Sequence, residues 1–371
     1  MTTTETSTTA APLALSVLDL VPVRTGQSSG QAIAASMALA QRADALGYTR
    51  YWFAEHHNMP SVASTTPPVL VAAASARTQR IRVGSGGVML PNHSPLVVAE
   101  QFAALEALAP GRVDLGIGRA PGSDPVITQL LRMSGTTSDV ERFPGHISDI
   151  LSLVSPEGAT VRFSTGGEYG VHATPAAIGA PEVWLLGSSD YSAQLAAHLG
   201  LPYVFANHFS GDGLERALEL YRTGFVASEY LDAPKTFLTV NTVAAPTEEE
   251  ALARALPQPH HGAQLRERAM VRLRTNQPSM PLETIEQAQA AHAGADAATD
   301  ELHARMRARW LVGDAAHVAT ELRAFAARSG VDEVMVSPVS GSFAHEALDA
   351  APGRVQTLEL LAAEIGAAVA G

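Results

Sequence analysis

Eight short apolar runs recur along this chain, each followed by a stretch with helical spacing, and this alternation constrains the fold more than any other feature. The runs span residues 15–20, 51–54, 81–86, 112–117, 182–186, 203–206, 236–244 and 333–336. Continuous rather than alternating apolar character suits parallel strands buried on both faces. Between them, residues 30–46 place Ile33, Met37, Ala40 and Leu46 at helical spacing, with Gly47 at the carboxyl cap. Pro67 and Pro68 fall in the first turn of a helix over 66–76. Further helices are predicted over 95–108, 143–154, 191–199, 214–225, 315–329 and 357–369. Eight repeats with no composition break long enough to be a linker predict an α/β fold, a single (β/α)8 TIM barrel over residues 13–371. A doubly wound sheet is the alternative, but eight repeats without a reversal point favour closure. Residues 247–310, rich in Ala, Glu, Gln and His, read as a helical insertion after strand seven. The Thr-rich residues 1–12 lack the basic start and apolar middle of a signal peptide and are expected to be disordered.

Barrels of this kind keep their chemistry at the carboxyl ends of the strands. The second run passes without a loop into Glu55, His56 and His57. Adjacent residues of an extended segment point to opposite sides, so one histidine should face the barrel mouth and the other should pack or hydrogen-bond behind it. Zinc ligation by Glu55, His56 and His57 is disfavoured because ligands on one element need spacing that brings them to the same face. Proton transfer suits a neutral imidazole better. His208 follows the sixth run in the same way, whereas His93 is expected to be a buried loop histidine satisfied by backbone.

Gly84-Ser85-Gly86-Gly87 ends the third run without bulky side chains, which fits either close approach of a flat ligand or a bend at the rim. After the fourth run Arg119 offers a planar fork of donors for a phosphate, against the plainer reading of a surface arginine. Gly187, Ser188, Ser189, Asp190 and Tyr191 open a helix directly after the fifth run; this is an anion site or ordinary capping. A serine hydrolase built on Ser188 or Ser189 lacks the Gly-x-Ser-x-Gly elbow.

Composition closes off other classes. The absence of cysteine removes disulfides, thiolate catalysis and Cys-ligated metals. A net charge of -12 opposes nonspecific nucleic-acid binding, and no apolar run reaches the roughly 20 residues of a membrane span. A soluble, cytoplasmic protein is expected.

In order and spacing, several strings resemble the bacterial luciferase-like flavin monooxygenases. They are Phe53-Ala54-Glu55-His56-His57-Asn58, residues 83–95 (VGSGGVMLPNHSP), residues 109–119 (APGRVDLGIGR) and residues 185–199. The resemblance covers most of the chain and implies reduced FMN supplied by a separate flavin reductase, with O2 as cosubstrate. It implies oxygenation of a small organic molecule, such as a natural product, through a flavin peroxide. His56 matches the family's histidine at the reactive edge of the flavin, with Glu55, His57 and His208 as supporting groups. Gly86-Gly87 matches a non-proline cis peptide beneath the ring system. Arg119, Ser188, Ser189 and Tyr191 match the phosphate-binding elements, so Ser85, Gly86, Gly87, Arg119, Gly187, Ser188, Ser189 and Tyr191 are the expected cofactor contacts. The family also implies a homodimer, and no metal is expected. A deazaflavin-dependent oxidoreductase of the same barrel, or a flavin-binding barrel without catalysis, is the alternative. Gly118 stands where luciferase itself has a cysteine, and residues 256–306 do not read like its lid loop, so light emission and an aldehyde substrate are not carried over.

Overall fold

Tyr51, Trp52 and Phe53 are all fully buried, which requires that both faces of their strand be covered. Trp52 points inward to a cluster with Leu18, Trp184, Leu186, Val204, Phe237 and Met335, while Tyr51 and Phe53 join the larger core between strands and helices. This is the layering of a barrel. The computed structural model describes residues 13–120, 122, 125–132, 140–209, 211–264 and 280–366, so the amino-terminal residues 1–12 lie outside the described residues.

The strands are β1 (Ala14–Asp19), β2 (Arg50–Phe53), β3 (Arg82–Met89), β4 (Val113–Gly118), β5 (Ala159–Arg162), β6 (Glu168–Val171), β7 (Glu182–Gly187), β8 (Tyr203–Phe205), β9 (Thr236–Ala245), β10 (Leu311–Asp314) and β11 (Glu333–Pro338). β1, β2, β3, β4, β7, β8, β9 and β11 pair in that order, all parallel, and β11 closes back on β1. The eight strands of the ring are the eight apolar runs. Two features were not anticipated. β5 and β6 form an antiparallel hairpin, and β10 adds to β9 outside the ring. The hairpin residues are mostly exposed, so they carry no apolar run for periodicity to detect.

Helices fall where spacing places them: Ser29–Ala45 with a Ser28/Gln31 capping box, Pro67–Ser75, Pro95–Leu108, Phe143–Val154, Asp190–Leu199, Leu214–Gly224 and Ala315–Ser329. The closing helix is Pro352–Ile365 rather than 357–369, since Pro352 starts it and left-handed Gly366 ends it; residues 367–371 lie outside the described residues. The insertion after β9 is helical as expected, with Glu248–Ala255, Ile285–His292 and Ala297–Arg307. None of the described helices is long and apolar enough to cross a membrane.

At the amino end of the barrel, Arg50 donates to Glu333 at 2.8 Å, Asp114 at 3.0 Å and Glu182 at 3.4 Å, with its guanidinium against the Trp184 ring. The same short strand thus holds a structural plug at one end and leads into the histidines at the other.

Candidate active site

β2 and β8 stand four places apart in either direction round the eight-stranded ring, so the residues that follow them face each other across its mouth. His56 follows β2 and His208 follows β8. Burial, and then the neighbouring His56, push the His208 imidazole down to about 4. His208 Nδ1 lies 2.6 Å from Thr239 Oγ1, and its carbonyl accepts a hydrogen bond from Asn241. Burial also lowers His56, against the raising pull of Glu55 and of a hydrogen bond to the Gly122 carbonyl. Both imidazoles are therefore held neutral, able to accept or relay a proton.

Glu55 fixes this corner from behind. Its buried carboxylate lies 2.8 Å from His57 Nε2 and 2.7 Å from His93 Nε2, and accepts the Met89 amide at 3.0 Å. Burial alone would raise this carboxyl, but the bonds from His57 and His93 with the Met89 amide hold it at about 2. His57 and Glu55 thus act behind His56. The expectation for His93 is corrected: it bonds a carboxylate, not backbone, because the end of β3 carries it to the side of Glu55. Among the described residues no cluster of His, Asp and Glu is arranged to hold a metal ion.

The glycine segment is also revised. β3 continues to Met89 instead of stopping at Gly86, and the register with β4 shifts between Gly86 and Val88. The Gly86-Gly87 peptide is cis. A Cβ on Gly84 would lie 2.4 Å from the Asp114 carbonyl oxygen, and one on Gly86 would lie 2.7 Å from Leu18, so these positions are bare because the neighbouring strand and interior side chains fill the space. Ser85 is fully buried and its hydroxyl donates to the Gly116 carbonyl at 2.8 Å, so it is committed to the β3–β4 seam. Gly86 alone of Ser85, Gly86 and Gly87 keeps some exposure toward the mouth.

Arg119 and the helix after β7 come together as the sequence suggests. β4 pairs with β7, and the Arg119 guanidinium lies 4.1 Å from the centre of the Tyr191 ring. Arg119 has no carboxylate partner among the described residues. Ser189 occupies the amino cap of helix Asp190–Leu199 without using its side chain there, so the first amides of that helix remain available to an anion. Gly187 is bare because a Cβ would lie 2.2 Å from Ser192 Oγ. These residues suit a phosphate.

A cavity of about 540 Å³ opens beside His208, lined also by Leu20, Met59, Val62, Asn241 and Trp310. No motif marked Thr239, Asn241 or Trp310. Their role depends on contacts between distant strands and the insertion.

The two low pKa values set the acid response. His208 titrates near 4 folded and near 6.5 unfolded, so the unfolded chain binds more protons between those values. Its contribution is complete above pH 6.5 and is lost as pH falls toward 4. Glu55 acts in the same sense lower down, complete above 4.5 and lost toward 2. The melting temperature is expected to fall on acidification from pH 7 to 4, with a shallower slope in His208→Gln. An unchanged slope in that variant rules out the assignment to His208.

A closed parallel barrel whose carboxyl mouth gathers neutral imidazoles, an anion-binding helix start and an apolar cavity is an enzyme of the α/β-barrel class. Residues 13–333 match the model of the luciferase-like monooxygenase family. A luciferase-like monooxygenase of Escherichia coli (strain K12) is 40% identical over 334 residues, covering 88% of this chain and 91% of its own. N-acetyl-S-alkylcysteine monooxygenase of Bacillus subtilis (strain 168) is 37% identical over 245 residues, 64% of this chain and 69% of its own. Among solved structures, apo-MsnO8 superposes with a TM-score of 0.79 at 31% identity, covering 95% of this chain and 98% of that one. The chain belongs to the luciferase-like monooxygenase family.

Proposed function

We propose that this protein is an FMN-dependent monooxygenase that oxygenates a small organic substrate, taking reduced FMN from a partner flavin reductase and working as a homodimer. The observation that carries the reading is the pair of neutral imidazoles, His56 and His208, facing each other beside a largely apolar cavity. The flavin, when bound, supplies the electrons that activate O2. Arg119, Ser188, Ser189 and the start of helix Asp190–Leu199 hold its phosphate, and Tyr191 flanks the guanidinium. Gly86, within β3, leaves the wall there free of a side chain. His56 holds or delivers a proton at its imidazole nitrogen, with Glu55 and His57 fixing the backbone behind it. The cavity walls and the helices over them exclude water.

Titration of the purified protein with FMN and with a deazaflavin, followed by fluorescence, tests this. FMN is expected to bind more tightly, and Arg119→Ala to weaken it about 10- to 100-fold, the worth of a charge-assisted contact. Tighter binding of the deazaflavin, or an Arg119→Ala variant that binds FMN like the wild type, overturns the cofactor assignment.

A further inference from the structure

The cavity beside His208 has a strong chemical bias. Its described lining includes two arginines and two histidines and no acidic residue, in a chain whose net charge is -12. The floor is formed by His208 and Asn241 at the barrel mouth. The roof is the insertion, where Leu302, Arg305 and Met306 share one face of helix Ala297–Arg307 and Arg309 follows just past its end.

The two roof arginines differ. Arg309 is engaged by Asp212 at 2.9 Å, whereas Arg305 has no carboxylate partner among the described residues. Between Arg305 and His208 the walls are apolar and adaptable, with Met59, Val62, Leu282 and Met306. The roof of the cavity therefore matches an anion and its walls match an apolar chain.

We propose that the substrate is an amphipathic monocarboxylic acid, its carboxylate held by Arg305 at the roof and its apolar chain running along the walls toward His208 at the floor. A guanidinium presents two parallel donors that match a carboxylate. An amine of the same shape meets like charge there, and a neutral ester leaves one donor pair unused. The orientation, reacting end toward the floor, rests on the monooxygenase reading above; the preference for an acid rests on the cavity alone.

Trp310 lines this cavity, while Trp52 and Trp184 are sealed in the barrel interior, so tryptophan emission reports its occupancy. The probes are octanoate, methyl octanoate and octan-1-amine, titrated by fluorescence and calorimetry into the wild type and into R305Q, with FMN titrated in parallel. Octanoate is expected to bind about tenfold or more tightly than the ester or the amine, and R305Q to erase that preference while leaving ester binding unchanged. Equal binding of acid and ester by the wild type, a preference that survives in R305Q, or no saturable binding of any probe overturns the proposal. FMN binding that fails while the acid preference persists sinks the flavin reading and leaves the acid site; retained FMN binding with no acid preference does the reverse.

Discussion

Replacing His56 by Asn is expected to lower turnover about 10²- to 10⁴-fold while FMN still binds, the usual worth of a positioned proton-transfer group. His56 stands at the end of β2, partly exposed to the mouth and opposite His208, and its lowered pKa keeps it neutral near physiological pH. Asn keeps polarity and approximate size but cannot exchange a proton in this range. The measurement is incorporation of labelled oxygen into whichever acid the wild type accepts, with FMN affinity determined on the same preparation. Turnover at the wild-type rate removes His56 from the chemistry. Loss of turnover together with loss of FMN binding makes His56 a cofactor contact instead.

A stability effect of comparable size is expected behind the site. Glu55→Ala should destabilise the fold by about 3–5 kcal/mol, because it deletes a buried carboxylate and strands its partners. His57, His93 and the Met89 amide converge on Glu55 from the ends of β2 and β3, and the side chain itself is 1% exposed. Glu55→Gln, which keeps the volume and one acceptor, should cost less, about 1–3 kcal/mol. Chemical denaturation reads both: a shifted midpoint at unchanged slope supports the assignment, and an Ala variant as stable as the wild type refutes it.

Much of the fold was legible in advance. All eight ring strands lie at the apolar runs, since strands buried on both faces must be continuously apolar. Proline at helix starts and glycine after helix ends marked several boundaries, as at Pro67, Pro68 and Gly47. The β5–β6 hairpin escaped notice because it is exposed, and β10 because a strand of four residues in an Ala-rich segment has too little pattern to stand out. At the site, Arg119, Ser188, Ser189 and Tyr191 could be picked out by residue type and by their place after strands. That Glu55 is the shared partner of His57 and His93 could not, since hydrogen bonds between separate loops leave no trace in local spacing.

The sequence by itself determined the barrel and the end of it that carries chemistry, because strand periodicity and helix capping are local properties of neighbouring residues, while the choice of His56 over His57 came from the family resemblance. Tertiary structure alone decided that His208 meets His56, that Ser85 is spent on the β3–β4 seam, and that Arg305 roofs a cavity whose described lining holds no acid. Each of these depends on closure of the ring and on the fold-back of the insertion, which bring together side chains far apart in the chain and fix how deeply each is buried.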